Sequence, residues 1–205
     1  MYRVSAMLNI HAERTSEKMV TEALQSALGR AYPPQGGGGG QHGVATGRSL
    51  PSMVDFSAEV DARSLPQRYN LLCEFSGWPK GDSQGSGTAT TAADDDVGGS
   101  GVDGEGGGPD SAPGDLERLA TEVEAELCHL NATYARDRGE GYIGPLGVCR
   151  VKEGTFAELF SMGVERGADP SQYKVPRCVN GELMRGVLRA GVVEAATARE
   201  GVIPA

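Results

Sequence analysis

Of the residues in this sequence, Lys174 has the local surroundings best suited to a catalytic or ligand-binding role. It lies in the run QYKVPRC at residues 172–178. Pro176 disfavours a helix at the residue before it, so the run is predicted to be extended, and the alternation of an extended chain then directs Lys174 to one face. An ammonium group held there can reach a phosphate at the edge of a domain. The competing interpretation is an ordinary surface lysine, which the residue type alone does not exclude.

Other catalytic and metal-binding patterns are weaker. A phosphate-binding loop needs Gly-Lys followed by Ser or Thr, and the glycine runs at residues 36–40 and 101–106 lack this sequence. Aspartates 94–96 lack the ligand spacing of a calcium loop. Cys128 and His129 are neighbours that point to different faces of a predicted helix, so no metal site is expected. A Ser-His-Asp or Cys-His relay stays open, although no G-x-S-x-G elbow occurs.

Composition narrows the class of partner. The chain has 205 residues and a formal net charge of -9, which argues against nucleic acid and against an anionic membrane surface. Residues 81–114 hold seven of the acids and no Lys or Arg, so the rest of the chain is nearly neutral. No apolar run approaches the ~20 residues of a membrane span. Four cysteines without C-x-x-C spacing, and no signal peptide, predict a reduced cytoplasmic protein.

Two segments have the composition of insertions. Residues 33–52 contain five consecutive glycines, and residues 80–114 consist mainly of Gly, Ser, Thr, Ala and Asp without an aromatic residue. Neither segment can bury enough apolar surface to offset the entropy of ordering, so both are predicted to be disordered. The remaining parts, residues 1–32, 53–79 and 115–205, are predicted to form one domain.

Hydrophobic periodicity predicts the elements of that domain. Thr15 is a candidate cap for a first helix that ends at Gly29, and a long helix from Asp115 continues through Tyr134. Thr155-Phe-Ala-Glu158 matches a capping box. The order of elements predicts an α+β fold, a mixed β-sheet covered by helices mainly on one face. The predicted strands are residues 3–10, 53–60, 69–75, 145–151 and 173–179, and the predicted helices begin near Thr15, Asp115, Thr155 and Asn180.

Several short blocks in the second half of the chain follow one another in a specific order. They are LNATY at residues 130–134, Arg138, IGPL at residues 143–146, GTF at residues 154–156, RGA at residues 166–168 and QYKVPRC at residues 172–178. In these blocks and their order the chain resembles the Gretchen Hagen family of plant acid–amido synthetases, the auxin-responsive conjugating enzymes. A fainter likeness covers residues 8–17 and the strands around residues 54–75.

The resemblance implies a reaction and a place for this chain in it. In this adenylate-forming superfamily, a large N-terminal domain binds ATP and a carboxylic acid, and a small C-terminal domain closes over the site. The acid is adenylated with loss of pyrophosphate, and the amine of an amino acid then attacks the acyl-adenylate. By similarity, Lys174 would lie at the α-phosphate and the substrate carboxylate, with Gln172, Tyr173 and Arg177 close to the nucleotide or substrate. Mg²⁺ is expected on the nucleotide phosphates.

The resemblance also implies that the chain is part of a longer enzyme. The family's nucleotide-binding motifs lie upstream of the region matched here, so the isolated chain is expected to be inactive without an N-terminal adenylation domain. His11 stands where the family usually has an acidic residue near the inter-domain hinge, and Arg14 stands where it has a lysine. The acid substrate in the family is an auxin, a jasmonate or a benzoate, and the sequence selects none of them.

Two alternatives from other classes stay open. In the first alternative, the chain is a stand-alone, non-catalytic binding or regulatory module. The absence of the family's nucleotide-binding motifs favours this alternative. It is an interaction protein that uses its acidic segment in the second. That segment lacks the hydrophobic anchors expected of a partner-binding region, so the second alternative ranks last.

Overall fold

The computed structural model of the chain describes residues 7–32, 51–78 and 114–199. The predicted insertions at residues 33–52 and 80–114 lie outside these ranges except for residues 51, 52 and 114, so their disorder and the division into one domain stay predictions. Residues 1–6, which include the start of the predicted strand 3–10, also lie outside. No helix within the described ranges is long and apolar enough to cross a membrane.

Five helices and six strands occur in the described residues. The strands are β1 (Met7–Leu8), β2 (Thr15–Ser16), β3 (Ser52–Asp61), β4 (Arg68–Ser76), β5 (Gly147–Val151) and β6 (Val192–Thr197), and the helices are α1 (Glu17–Ala31), α2 (Asp115–Leu130), α3 (Ala132–Gly139), α4 (Thr155–Glu165) and α5 (Gly181–Gly191).

The main sheet has four strands in the order β3-β4-β5-β6. The outer pairs β3–β4 and β5–β6 are antiparallel, whereas the central pair β4–β5 is parallel. One row across the sheet runs from Ser57 through Leu72 and Cys149 to Ala195. The sheet is therefore mixed, as the order of elements predicts, but its edge strand β6 was not predicted.

Helices cover both faces of this sheet. Alternation along β4 sends Leu71 and Cys73 into a core shared with α1, α2 and α3, and sends Leu72 into a smaller core shared with α4 and α5. The prediction of a mixed sheet covered by helices is confirmed. The larger group of helices lies on one face, and α4 and α5, which position the candidate site, lie on the other.

The helix predicted from Asp115 through Tyr134 is two helices, because Asn131 ends one and caps the next. The backbone of Asn131 leaves the helical region, and its side-chain oxygen accepts a hydrogen bond from the Tyr134 amide at 3.2 Å. The first helix also begins one residue later than predicted. Ser16, and not Thr15, caps α1 by accepting from the Met19 amide.

A buried carboxylate joins α2 to α3 and to the strand that follows. Glu124 is 2% exposed. It pairs with Arg138, whose Nε lies 2.6 Å from Glu124 Oε1, and it accepts hydrogen bonds from the Tyr134 hydroxyl and the Leu146 amide. The Arg138 guanidinium also donates to the Ile143 carbonyl at 2.8 Å. The first blocks of the family likeness therefore meet in one buried network.

The first described segment is held against the end of α3. Glu13 accepts hydrogen bonds from the Ile10 and His11 amides at 2.7 and 2.9 Å. The His11 ring stacks on Tyr142 at 4.6 Å, and its Nδ1 lies 3.2 Å from a carboxylate oxygen of buried Asp137. An acidic residue at position 11, as in the resembling family, would face this carboxylate. The histidine is therefore compatible with its partner.

Asp137→Asn is expected to flatten the acid limb of the stability curve. Burial opposes ionisation of Asp137, but hydrogen bonds from Arg136 and His11 outweigh it and hold the pKa of this carboxyl below its usual 3.8. A lowered folded-state pKa contributes stability above the unfolded value, and this contribution is lost as the pH falls through the folded-state value. Urea unfolding at pH 6 and pH 3 should show the difference between wild type and mutant shrinking at pH 3. A difference equal at both pH values would contradict the assignment, and Asp115→Asn serves as the control, because the Asp115 side chain is 44% exposed whereas that of Asp137 is fully buried.

The structure describes residues 7–32, 51–78 and 114–199, and the four chain ends beside the two gaps lie close together. Tyr32 follows α1, and its ring contacts that of Trp78, which follows β4, edge to face at 5.8 Å. Ser52 at the start of β3 shares a 2.7 Å hydroxyl hydrogen bond with Ser76 at the end of β4. The guanidinium of Arg118, in the first turn of α2, lies 5.7 Å from the Tyr32 ring centroid. We call this cluster the aromatic junction.

Candidate functional site

The segment that carries Lys174 lies along the outer edge of β3. Ala58 donates its amide hydrogen to the Arg177 carbonyl at 2.7 Å, and its carbonyl accepts from the Val179 amide at 2.9 Å. The Ser57 hydroxyl donates to the Pro176 carbonyl at 2.7 Å. The prediction of a strand over residues 173–179 is wrong: the run pairs with the sheet at a single parallel bridge, between Ala58 and Cys178, because it is held mainly by side chains and turns rather than by a ladder of backbone hydrogen bonds.

Arg177 fastens this segment to two other elements. Its guanidinium pairs with Glu17 at the start of α1, at 3.3 Å, and with Asp55 on β3. It also donates to the Phe56 carbonyl at 2.8 Å and lies 4.6 Å from the Phe56 ring centroid. With two carboxylates and a carbonyl already around it, Arg177 holds the segment in position.

Tyr173 fastens the other end of the segment to α4. The Gln172 and Tyr173 amides both donate to the Asp169 carbonyl, at 3.0 and 2.8 Å. The Tyr173 ring lies 5.7 Å from the Phe160 ring and so close to Gly163 that a Cβ on that glycine would lie 2.2 Å from a ring carbon. The ring fits because residue 163 has no side chain.

The cap of α4 differs from the predicted capping box. Gly154, with φ 88°, is the N-cap and makes no side-chain hydrogen bond, while the Thr155 hydroxyl donates to the Lys152 carbonyl. The carboxylate of Glu74 on β4 takes the place of the cap by accepting from the Gly154 and Phe156 amides at 2.8 and 2.9 Å. The capping box was wrong because a side chain from the sheet satisfies these donors. The two hydrogen bonds to Glu74 also hold the start of α4 against the sheet.

These elements enclose an open groove of about 830 Å³. Lys174 is exposed, and within the described ranges its ammonium group makes no ion pair or hydrogen bond. The two carboxylates of the wall, Glu17 and Asp55, pair with Arg177 and make no ion pair with Lys174. The groove is lined by Glu17, Val54, Asp55, Phe156, Ala157, Phe160, Gln172, Tyr173, Lys174, Val175, Pro176 and Arg177.

All four residues singled out from the sequence, Gln172, Tyr173, Lys174 and Arg177, line this groove. The carboxylate wall and the aromatic residues of α4 were not foreseen. Glu17 and Asp55 lie far from residue 174 in sequence, and no local pattern connects them to it. The family block GTF at residues 154–156 offered the one available signal, because it begins the helix that forms the aromatic wall.

The cysteines singled out in the sequence are poorly suited to nucleophilic chemistry. All four cysteines are free. Burial raises the pKa of the Cys128 thiol to about 11 and raises the pKa values of Cys73, Cys149 and Cys178 as well. They are thus protonated and poorly nucleophilic near neutral pH. No group of three His, Cys, Asp or Glu residues in the described part of the chain could hold a metal ion.

Gly163→Ala is expected to displace Tyr173 and to destabilise the domain by about 1–3 kcal/mol, the usual cost of overpacking. The added methyl group would overlap the Tyr173 ring. Urea unfolding would measure the loss, and NMR would show shifted signals for Tyr173 and Lys174. Gly186→Ala is the matched control, because Gly186 is also helical and has open space around its Cβ position; it should stabilise by up to about 1 kcal/mol. Equal effects of the two substitutions would contradict the contact.

Comparison with known proteins identifies the family. Residues 41–182 match the model of the GH3 family C-terminal domain. An indole-3-acetic acid-amido synthetase of Arabidopsis thaliana, GH3.3, is 42% identical over 179 residues, which cover 87% of this chain and 22% of that protein. The enzyme of the same description from Oryza sativa subsp. indica, GH3.8, is 28% identical over 178 residues, covering 86% of this chain and 22% of that protein.

A solved structure agrees with this. The GH3.15 acyl acid amido synthetase superimposes on the chain with a TM-score of 0.66 at 25% sequence identity, over 99% of this chain and 29% of that one. The chain thus spans between a fifth and a third of the three proteins named here. Because the family model matches more than half of its residues, the chain belongs to the GH3 family, whose C-terminal domain it carries and whose members named here are amido synthetases.

Proposed function

We propose that the chain is the C-terminal part of an ATP-dependent acid–amido synthetase that joins a carboxylic acid to an amino acid through an acyl-adenylate. The observation that carries the proposal is the exposed ammonium group of Lys174 in the groove between β3 and α4, which makes no ion pair or hydrogen bond with the described residues. A cation without a partner, on a segment fastened at both ends, suits a ligand that brings negative charge. Membership of the family supplies the reaction.

Adenylation needs such a cation. An oxygen of the substrate carboxylate attacks the α-phosphorus of ATP, the bond to pyrophosphate breaks, and negative charge grows on the phosphate oxygens. Lys174 would stabilise this charge. In the domain alone the lysine is solvated and its interactions are weak. With an N-terminal domain closed over the groove and water excluded, the same charge would act in a lower dielectric and over a fixed distance.

The residues around Lys174 would hold it in place and shape the groove for the ligand. Tyr173 and Arg177 hold the backbone on either side of it, and Gln172 adds an exposed amide to the groove. Phe156 and Phe160 give the opposite wall an apolar surface, which suits a flat ring such as adenine or the acid's own ring. We infer that Lys174 is the catalytic residue and that Tyr173 and Arg177 are positioning residues.

The groove suits phosphate better than a metal ion. Its two carboxylates already pair with Arg177, and the described residues offer no cluster of three metal ligands. The Mg²⁺ expected with ATP would therefore be held by the nucleotide phosphates and the N-terminal domain. When bound there, it would withdraw charge from the phosphates; no group of the groove is assigned to it.

The second half-reaction forms the amide. The amine of the amino acid would attack the acyl carbon, and AMP would leave with the electron pair of the acyl–oxygen bond. The two relatives named above are indole-3-acetic acid-amido synthetases, so a hormone-like carboxylic acid is the proposed substrate class. The groove does not distinguish among such acids. A cytoplasmic location fits a reaction that consumes ATP.

ATP–pyrophosphate exchange tests this proposal, on the 205-residue chain and on the same chain fused behind the N-terminal domain of a GH3 relative. Activity in the fusion and none in the chain alone is expected. No exchange in a folded fusion, while the parent relative is active under the same conditions, would overturn the proposal and favour a non-catalytic binding module. The parent relative serves as the positive control.

A further inference from the structure

A second cavity lies on the other side of the segment that carries Lys174. It has a volume of about 150 Å³ and shares Tyr173, Val175 and Pro176 with the groove. Its other wall is formed by the far flank of α4 and the start of α5. Its apolar lining includes Leu159 and Met184, which are nearly buried, as well as Met162 and Leu183.

Two polar side chains in the lining of this cavity, Arg166 and Asn180, can both donate hydrogen bonds to a carboxylate. Arg166 is the one charged residue in its lining. Arg166 is exposed, and among the described residues no carboxylate pairs with its guanidinium. Asn180 also lines the cavity; it precedes α5, and its side chain makes no capping hydrogen bond. A guanidinium and an unengaged amide beside an apolar floor suit a carboxylate with an apolar body.

We propose that this cavity binds a small carboxylate that carries one apolar group, such as a branched aliphatic chain. The carboxylate would pair with Arg166 and accept from the Asn180 amide, while the apolar group would lie on Leu159 and Met184. Typical ligand pockets measure about 300–1,000 Å³. A cavity of 150 Å³ therefore takes one short side chain and excludes a nucleotide or a fused-ring acid. Nothing in this assignment depends on the reaction proposed for the groove.

Occupancy of the cavity would act on the groove through their shared wall. A ligand seated against Val175 and Pro176 would restrict the segment on which Lys174 is carried. The pocket therefore offers a way for a small carboxylate to alter the position of Lys174 without contacting it.

An NMR titration of the full chain with isovalerate tests the assignment. Isovalerate should cause saturable shifts at the amides of Met162, Arg166 and Leu183. Isovaleramide, which has the same shape without the charge, should bind at least about tenfold more weakly, because it loses the charge-assisted hydrogen bonds. Acetate, which has the charge without the apolar group, should cause no saturable shift. Equal binding of isovalerate and isovaleramide would overturn the proposal.

Two variants locate the binding. Arg166→Ala should weaken the binding of isovalerate about tenfold or more. The Arg166 side chain is exposed, and the NMR spectrum of the variant checks that it is folded. Lys174→Ala should leave the affinity unchanged. If Lys174→Ala removes binding and Arg166→Ala does not, isovalerate occupies the groove and the second site is refuted. Failure of the pyrophosphate exchange assay would leave this titration unaffected, so the two proposals fail separately.

Discussion

Lys174→Ala, introduced into the chain fused behind an adenylation domain, is expected to lower the rate of ATP–pyrophosphate exchange about 100- to 1,000-fold. This is the usual effect of removing one preorganised charge from an oxyanion-stabilising site. The effect should fall mainly on kcat, because the charge that Lys174 would neutralise grows in the transition state and is smaller in bound ATP. Steady-state exchange kinetics at varied concentrations of ATP and of the acid would separate the effect on kcat from the effect on KM.

Lys152→Ala is the matched control for that experiment. Lys152 is an exposed lysine of the same domain that lines a different surface cavity, between α4 and α5. Its removal should leave the exchange rate within about twofold of wild type, since it changes the net charge equally but not the groove. Circular dichroism of both variants checks the fold. Equal losses in the two variants, or an unchanged rate for Lys174→Ala, would refute the role of Lys174.

Glu124→Leu is expected to destabilise the domain by about 3–5 kcal/mol, because it leaves Arg138 as an uncompensated buried charge. The same change removes the acceptor of the Tyr134 hydroxyl and of the Leu146 amide. Urea unfolding followed by far-ultraviolet circular dichroism would measure the loss. A fall in the midpoint with an unchanged slope indicates that stability, and not the extent of unfolding, has changed.

Glu122→Ala tests whether burial is the cause. Glu122 lies on the same helix and pairs with Arg30, but both side chains are substantially exposed. Its loss should cost at most about 1 kcal/mol. The double variant Glu124→Leu, Arg138→Met removes the unpaired charge and should recover part of the stability lost in the single variant. Equal costs at positions 122 and 124 would contradict the buried network.

Local rules predicted that residues 173–179 do not form a helix, but they did not predict the place of this segment beside β3. Pro176 and the alternation around it predict an extended run with Lys174 on one face. In the structure, residues 172–177 line the groove. The partners of Arg177 were not predictable. Glu17 and Asp55 meet it only through the packing of α1 and β3, and neither spacing nor charge pattern reveals that contact.

The errors in secondary structure have the same origin. The capping box at Thr155 satisfies local rules, yet Glu74 reaches the same amides from the sheet. Strand β6 follows α5 directly at Gly191, with no turn residues between them. A Cβ on Gly191 would lie 2.9 Å from the Thr155 hydroxyl oxygen, so tertiary packing, and not a turn sequence, sets this boundary. Fold class and family were predictable because they depend on periodicity and on contiguous blocks.

The aromatic junction makes the domain insensitive to the length of the chain between its parts. The chain leaves and re-enters the described domain beside one cluster, at Tyr32, Ser52, Trp78 and Arg118. If the two connections are disordered, as their composition predicts, the entropic cost of closing each one rises by only about 0.6 kcal/mol for each doubling of its length. Mutation can therefore lengthen or shorten both connections at little thermodynamic cost, and the length of a homologue in these two places carries little information about its fold.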